Sequence, residues 1–374
     1  EIKLTYSELN NFYGELAIFL EAGGSLEITD ENVIKALQQQ EVPNIYNFDI
    51  MSDNYAIIYR KENISLNRNR TFPPLETGTG GNDFSGRATN LQFNAQGATI
   101  VIGPGGEGKL TFYGDAINNA PDIVRVVGGA SFLFLRGGDD TAFGGNNTDQ
   151  ISGDGGNDTL IGGPGDDQLL GGLGKDLIFG NQGDDYSFGG PDNDIVNAGQ
   201  GNDTVLGGDG NDIISGNNGN DDVDGGSGND LVFGNKGQDI ITGGSGDDEV
   251  YGGQGNDTVL GGDGNDIISG DLGDDTLIGG SGRNRFRLRP GDGTDIITDF
   301  KPGIDEVLLT GHSRVSVVPL ENGNVQIFGE NGASITMQGN GNYDPIDIAG
   351  SIQATNPGLV VDLGSGPANS STGI

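Results

Sequence analysis

The stretch that decides the fold is GGDGNDIIS, residues 207–215. The same nine-residue pattern, G-G-x-G-(N/D)-D-x-apolar-x, occurs sixteen times in succession over residues 144–287, without an insertion or a deletion. A fixed short period is typical of solenoids, in which each repeat is one small structural unit stacked on its neighbours. The pattern therefore predicts an all-β fold for this segment, a right-handed parallel β-roll or β-solenoid.

Each nonapeptide divides into a turn (positions 1–6) and a short strand (positions 7–9). Neighbouring side chains of a strand point to opposite faces, so position 8 faces one way and positions 7 and 9 face the other. Two strand-turn units then close one coil, and position 8 of both strands fills its thin core. Position 8 is apolar in every copy except at Ser187: Ile151, Leu160, Leu169, Ile178, Val196, Val205, Ile214, Val223, Val232, Ile241, Val250, Val259, Ile268, Leu277 and Phe286. A disordered Gly/Asp-rich tract, the alternative, would not preserve this apolar file.

Position 6 is Asp in fifteen copies and Asn284 in the last. Every second turn lies along the same edge of the roll, so these carboxylates form two columns. Within each column they repel one another unless cations lie between them. Ligation by carboxylate and carbonyl oxygens in irregular loops favours Ca²⁺ over Mg²⁺. The candidate metal ligands are Asp149, Asp158, Asp167, Asp176, Asp185, Asp194, Asp203, Asp212, Asp221, Asp230, Asp239, Asp248, Asp257, Asp266 and Asp275.

The turn glycines supply backbone conformations with positive φ. Most residues that replace them are Asn or Asp, which tolerate left-handed geometry. These residues are Asp154, Asn181, Asn217, Asn235 and Asp271 at position 2, and Asn147 and Asp192 at position 4. Ala198 at position 1 does not tolerate it, so we expect a strained or altered turn there.

The repeats resemble the repeats-in-toxin (RTX) family, whose parallel β-rolls bind Ca²⁺ between successive turns on each edge. The resemblance covers residues 144–287 and implies that the fifteen Asp and the turn carbonyls are the calcium ligands. Eight turns on each edge imply at most fourteen full sites, and the repeat pattern is broken beside the gaps at Asp192, Ala198 and Asn284. It also implies a secreted or cell-surface protein of a Gram-negative-type bacterium, exported by type I secretion; the tail at 364–374 is a candidate signal.

Composition agrees with a calcium-loaded extracellular protein. The formal charge is −37, and the chain has no Cys. Calcium in the repeats would neutralise most of that charge; without calcium the repeats would be expanded by self-repulsion. No disulfide framework and no zinc-thiolate site is possible. No apolar run reaches membrane-spanning length, and no signal-peptide pattern opens the sequence.

The sequence pattern divides the chain into four predicted segments. Residues 1–72 predict a small α+β segment, with helices at 7–22 and 31–37 and strands within 45–59. Residues 73–143 predict degenerate solenoid coils without calcium, ending in a partial turn at 136–140. Residues 144–287 are the calcium roll. Residues 288–374 predict a C-terminal β cap with hairpins and a tail, because a solenoid must cover its last coil.

Catalytic motifs are not found. Zinc-protease motifs need two histidines, and His312 is the only one. There is no G-x-S-x-G elbow, P-loop or Cys nucleophile. We expect His312 to lie at the surface, and the basic cluster at 283–289 to contact acidic groups of the cap rather than nucleic acid.

The outward strand positions predict one apolar face, with a more polar face opposite. This face comprises Leu177, Phe179, Ile195, Ile213, Leu231, Phe233, Tyr251 and Ile267. A soluble monomer seldom exposes such a strip. Either residues 1–70 or the C-terminal hairpins cover it, or it is a surface for self-association or for a cell-surface partner; no nucleic acid and no membrane span are expected.

Two functions remain compatible with the sequence. The first is a non-enzymatic, calcium-binding structural protein of the cell surface, such as a surface-layer, sheath, adhesin or filament subunit. The second is a secreted enzyme or toxin fragment in which the roll serves only secretion and folding. The sequence favours the first, since residues 1–143 are mostly solenoid-like and leave little room for a catalytic domain.

Overall fold

The computed structural model describes residues 130–338 and 343–364, together with short strands at 46–52, 55–60, 65–66, 89–94, 99–102, 110–113 and 123–126. The helices predicted at 7–22 and 31–37, and the tail from 365 onward, lie outside the described residues. The chain divides into two compact units, Glu1–Gly190 and Pro191–Ile374. This division falls inside the run of nonapeptides.

The described part of the first unit consists of strands that alternate between two sheets. The strands are β1 (Tyr46–Ser52), β2 (Tyr55–Arg60), β3 (Ser65–Leu66), β4 (Thr89–Asn94), β5 (Thr99–Ile102), β6 (Leu110–Tyr113), β7 (Ile123–Val126), β8 (Ser131–Phe134), β9 (Thr141–Phe143), β10 (Gln150–Gly155), β11 (Thr159–Pro164), β12 (Gln168–Leu173), β13 (Leu177–Gln182) and β14 (Tyr186–Pro191). Strands β5, β7, β9, β11 and β13 pair in parallel in one sheet. Strands β4, β6, β8, β10, β12 and β14 pair in parallel in the other. At the N-terminal end, β1 and β2 form an antiparallel hairpin, β2 adds antiparallel to β5, and β3 adds antiparallel to β4.

The second unit continues the same alternation and then changes to antiparallel hairpins. Its strands are β15 (Ile195–Gln200), β16 (Thr204–Asp209), β17 (Ile213–Asn218), β18 (Asp222–Ser227), β19 (Leu231–Lys236), β20 (Ile240–Ser245), β21 (Glu249–Gln254), β22 (Thr258–Asp263), β23 (Ile267–Leu272), β24 (Thr276–Ser281), β25 (Arg285–Leu288), β26 (Thr294–Ile297), β27 (Glu306–Leu309), β28 (Arg314–Pro319), β29 (Val325–Phe328), β30 (Ser334–Met337), β31 (Ile352–Ala354) and β32 (Val360–Leu363). One parallel sheet runs β15, β17, β19, β21, β23, β25, β27, β31. The other runs β16, β18, β20, β22, β24, β26, β30.

The register of these ladders follows from the nine-residue period. Ile214 of β17 lies opposite Val232 of β19, and Val223 of β18 lies opposite Ile241 of β20. Partners are thus two repeats apart, so one coil contains two strands and two turns. All position-8 side chains are buried, as predicted. Ser187 is buried among them, and its hydroxyl makes no hydrogen bond.

The C-terminal end of the second unit is a hairpin layer. Strands β28, β29 and β30 are antiparallel neighbours, β30 lies parallel to β26, and β32 adds parallel to β28. A 3₁₀ turn, η1 (Glu330–Gly332), lies between β29 and β30, and a short helix, α1 (Pro345–Gly350), comes after β30. The Asp344 carboxylate caps α1 by accepting the Ile346 N–H at 2.8 Å. In the described residues the protein is therefore almost entirely β, and the predicted parallel solenoid and its hairpin cap are confirmed.

The described residues contain no helix long and apolar enough to cross a membrane.

Candidate metal centre

The turns between strands are shaped by residues with positive φ at positions 2 and 4 of the nonapeptide. Gly208 has φ of 120° and Gly210 has φ of 141°, for example. Six of the seven Asn and Asp residues predicted to be left-handed do have positive φ: Asp154, Asn181, Asp192, Asn217, Asn235 and Asp271. Asn147 does not. A left-handed backbone costs a residue with a Cβ roughly 1 kcal/mol, and Asn and Asp tolerate it best.

The strained or altered turn expected at Ala198 was attributed to a left-handed backbone, and that reason is wrong. Position-1 residues do not have positive φ, and Ala198 does not either. Position 1 is restricted by space. A Cβ added to Gly243 would lie 2.6 Å from the Gly261 carbonyl oxygen of the next coil and 2.7 Å from Asp248 Oδ2. At such a position a Cβ would take up the space between a carboxylate and a carbonyl, and Ala198 is the one position-1 residue of the run that carries a Cβ.

The position-6 carboxylates are buried and linked in series along each edge of each unit. In the second unit, the N–H of Asp212 donates to Asp230 Oδ1 at 2.8 Å, and the N–H of Asp230 donates to Asp248 Oδ1 at 2.8 Å. On the other edge of that unit the same link joins Asp239 to Asp257 at 2.9 Å. In the first unit it joins Asp149 to Asp167 at 2.7 Å. Oδ1 is therefore used to hold the preceding turn.

The second oxygen of many of these carboxylates has no such partner. Oδ2 is buried and accepts no hydrogen bond in Asp149, Asp158, Asp167, Asp212, Asp230, Asp239, Asp248, Asp257, Asp266 and Asp275. A buried carboxylate oxygen without a donor is costly unless it is protonated or bound to a cation. Such an oxygen, repeated at one position of successive turns, indicates a ligand rather than a defect of packing.

Burial raises the pKa of these groups. The pKa of Asp149, Asp158, Asp230 and Asp257 rises from 3.8 to about 7, and that of Asp167, Asp212 and Asp266 rises to about 6. The main cause is the loss of water around the charge, and the hydrogen bond from the neighbouring turn lowers the pKa only partly. A dication beside Oδ2 would keep these groups ionised at neutral pH.

The donor set fits a hard cation such as Ca²⁺. Carboxylate Oδ2 and a glycine carbonyl of the next coil both border the space at position 1, and both are oxygen ligands. Among the described residues no three acidic or histidine side chains converge on one point. Backbone carbonyls must therefore complete any coordination shell, as the irregular, oxygen-rich geometry of calcium sites permits.

All fifteen predicted aspartates lie at equivalent buried positions of their turns. Two further aspartates, absent from the ligand prediction, are buried in turns of the same kind. Asp140 precedes the strict run, and its N–H donates to Asp158 Oδ1 at 2.7 Å. Asp295 follows the run, and its Oδ1 accepts the Asp275 N–H at 3.2 Å. The sequences GGDD at 137–140 and GDGTD at 291–295 were the available signals, but both lie outside the unbroken period.

The expectation that His312 lies at the surface is wrong. Its side chain is only 1% exposed. Nδ1 accepts the Glu330 N–H at 3.1 Å, and burial lowers the pKa of the imidazole. His312 thus helps to hold η1 in the cap.

The basic cluster at 283–289 contacts groups of its own unit. Arg289 pairs with Asp271, and Arg283 lies 4.0 Å from Glu306. The Arg287 guanidinium lies 5.2 Å from the centroid of the Tyr251 ring. Only the Arg283 contact is the expected one with an acidic group of the cap; Arg287 and Arg289 contact residues of the roll.

The raised pKa values predict opposite effects of pH on the calcium-free and calcium-bound protein. Without calcium, a buried carboxyl group with a raised pKa stabilises the fold fully below about pH 4, and this contribution is lost as pH rises through about 6 to 7. Calcium binds the ionised form, so its affinity should rise over the same window. We expect affinity at least about ten-fold weaker at pH 5.5 than at pH 8 by calorimetry. In a chelator, circular dichroism should show more sheet at pH 4.5 than at pH 8. A calcium affinity that does not change between pH 5.5 and pH 8 would contradict this interpretation.

Comparison with known proteins identifies the repeat. The family model of the RTX calcium-binding nonapeptide repeat matches in overlapping copies at residues 125–160, 152–186, 161–196, 188–223, 197–232, 224–259, 251–286 and 260–297. No curated protein matches the sequence significantly. The matched region contains all fifteen predicted aspartates and also Asp140 and Asp295.

Proposed function

Because residues 125–297 belong to the family of RTX calcium-binding nonapeptide repeats, we propose that this protein is a non-enzymatic structural protein of the extracellular cell surface. It folds and becomes rigid on binding extracellular calcium, and it associates laterally through one sheet face. The observation that carries the proposal is the row of large apolar side chains along that face of the second unit. The strands that carry this row are connected by the same turns that hold the buried carboxylates.

The row lies on neighbouring parallel strands and is called here the apolar strip: Ile195, Ile213, Leu231, Phe233, Tyr251 and Ile267. Ile213 pairs with Ile195 on one side and with Leu231 on the other. The rings of Phe233 and Tyr251 stack with centroids 5.2 Å apart and planes 13° apart. Ile195 and Ile213 are each 45% exposed. The predicted Leu177 and Phe179 lie in the first unit, where both are half-buried on β13.

The opposite face is less polar than the sequence led us to expect. Ile240 on β20 is 53% exposed, more than Ile195 or Ile213. Leu206 and Leu260 are half-buried on the same sheet. Asp222 and Thr258 lie on either side of Ile240, and Asp224 and Thr242 separate Leu206 from Leu260. The apolar strip therefore differs from the opposite face by its adjacent aromatic rings more than by its number of apolar residues.

Calcium supports this function through the chemistry of the turns. The repeats present many buried carboxylates, and each ion would join two turns, so binding and folding are linked. Calcium sites of extracellular modules bind weakly, at about 10⁻⁴ to 10⁻³ M, which matches millimolar extracellular calcium. We infer that the chain is unfolded in these repeats at low calcium and becomes a rigid sheet surface after export.

Substitutions on the two faces test lateral association. Leu231→Asp combined with Phe233→Asp places two charges in the apolar strip, so assembly in calcium should be lost, because charges disfavour a desolvated contact. Ile240→Asp is the matched control on the opposite face and should assemble as the wild type does. Sedimentation velocity and electron microscopy in calcium provide the measurement. Unchanged assembly of the double variant, with an unchanged melting temperature, would contradict the role of the strip.

The alternative, a secreted enzyme or toxin fragment, makes a different prediction. Hydrolase activity of the purified, calcium-loaded chain would favour it. A wild-type chain that stays monomeric in calcium would also count against the structural role.

A further inference from the structure

The segment after the last nonapeptide forms one more turn of the same kind, two residues out of register. Gly293 forms a parallel bridge with Gly273, and the Thr294 N–H donates to Asp274 Oδ1 at 2.9 Å. Strand β26 then places Ile297 opposite Leu277. These partners are 20 residues apart, whereas turns inside the run are linked at 18. The nonapeptide period ends before this turn, but its geometry continues.

Asp295 occupies the position-6 place of this turn. It is 0% exposed, and its Oδ1 accepts the Asp275 N–H at 3.2 Å. Its Oδ2 is buried and accepts no hydrogen bond, and the same is true of Asp275 Oδ2. Two buried carboxylates of adjacent turns thus each keep one oxygen without a donor. This arrangement needs a proton or a cation.

The surrounding charges favour a cation. The Arg289 guanidinium contacts Asp271 and lies 3.8 Å from Asp292, so its charge is already shared between those two. Asp275 and Asp292 both add negative charge close to Asp295. Asp274 adds a further negative charge close to Asp275. No contact of Arg289 with Asp295 is present.

On the other edge, at the same end of the roll, the carboxylate receives its hydrogen bonds from protein groups and needs no ion. Asn284 is neutral and stands at position 6 of the last nonapeptide. Asp305, the next carboxylate along that edge, uses both oxygens: Oδ1 accepts the Asn284 N–H at 3.0 Å and Oδ2 accepts the Lys301 N–H at 2.7 Å. The Lys301 ammonium group contacts the Gly280 carbonyl. Burial raises the pKa of Asp305, and the hydrogen bonds from Asn284 and Lys301, together with the Lys301 charge, oppose this rise.

We propose that Asp275 and Asp295 hold an additional divalent cation of the calcium type, outside the nonapeptide register, and that the corresponding gap on the other edge, between Asn284 and Asp305, holds none. This inference rests on the calcium binding proposed for the repeats. The ion joins the last coil to β26, and β26 pairs with β30 of the hairpin layer. Calcium at this site therefore fastens the cap to the roll.

Counting bound ions tests the proposal. Native mass spectrometry of the full chain in excess calcium should show one ion fewer in Asp295→Asn than in the wild type. In Asp295→Asn the amide oxygen still accepts the Asp275 N–H, and an NH₂ group replaces the oxygen proposed to bind the cation. Asp305→Asn, the matched control, should keep the wild-type count. Hydrogen exchange should rise in 294–300 and 334–337 of Asp295→Asn while 213–260 stays protected.

The outcomes separate this site from the repeats. An unchanged count in Asp295→Asn overturns the proposal and leaves a shared proton as the explanation, while many ions in the wild type would still support the repeats. Loss of an ion in Asp305→Asn overturns the contrast between the two edges. A wild type without calcium overturns the proposed function itself.

If Asp295→Asn does not fold, anomalous diffraction from calcium-loaded wild-type crystals decides: a peak beside Asp295 supports the site, and its absence overturns it.

Discussion

Chelation of calcium from the full chain is expected to unfold the repeats. With calcium removed at pH 8, the sheet signal in circular dichroism should fall and amides across 213–281 should lose protection from exchange. The reason is electrostatic. Each pKa unit corresponds to about 1.4 kcal/mol, and several position-6 carboxylates have pKa values raised to about 6 or 7 from 3.8. Ionising only a few of them without a counterion would exceed the roughly 5–15 kcal/mol that stabilises a domain.

Two controls sharpen this experiment. Calcium added back should restore the sheet, whereas magnesium at the same concentration should restore less of it, because Mg²⁺ requires near-octahedral geometry and retains its water. Added salt should not replace calcium, since the carboxylates are buried and poorly screened. A chelated protein that keeps its sheet signal and protection at pH 8 would show that the carboxylates need no cation.

A substitution in the turn is expected to have the next largest effect. Gly237 is at position 4 with φ of 142°, and a Cβ there would overlap the carbonyl oxygen of Gly219 in the preceding coil. Gly237→Val combines an unfavourable backbone, about 1–3 kcal/mol, with a clash that forces two turns apart. We expect a loss of at least about 4 kcal/mol in the calcium-bound state, or local unfolding of the coil.

Gln238→Val is the matched control for Gly237→Val. Gln238 is exposed in the same turn, and only its backbone N–H is used, donating to Asn220 Oδ1 at 2.7 Å. Valine keeps that N–H, so the change should be within about 0.5 kcal/mol. Denaturant titrations of both variants in calcium give the comparison. A Gly237→Val protein as stable as Gln238→Val would contradict the close stacking of turns.

The nine-residue period predicts most of the solenoid, because two repeats make one coil and so determine which residues pair across the sheet. One apolar position in nine predicts the pairing of Ile214 with Val232, and the structure has that pairing. The period does not reveal which turn positions are left-handed. The strain expected at Ala198 was therefore assigned to φ, although position 1 is restricted by the neighbouring Oδ2 and carbonyl.

Prediction was poorest where the period stops. Asp295 was assigned to a cap because two extra residues break the register, yet hydrogen bonding across the sheet restores the turn. His312 lies in a segment without any repeat, so its burial against η1 depends on contacts between distant residues. The contrast between the two outer faces was overestimated, because Ile240 on the face expected to be more polar is 53% exposed.

The central claim is that Oδ2 of each position-6 aspartate, together with a carbonyl of the adjoining turn, binds calcium. Anomalous diffraction from crystals grown in calcium tests this claim most directly. We expect peaks between successive turns, beside Oδ2 of Asp212, Asp230 and Asp248 on one edge and of Asp239 and Asp257 on the other. Ordered turns without anomalous peaks, with calcium bound only at the exposed carboxylates, would contradict it.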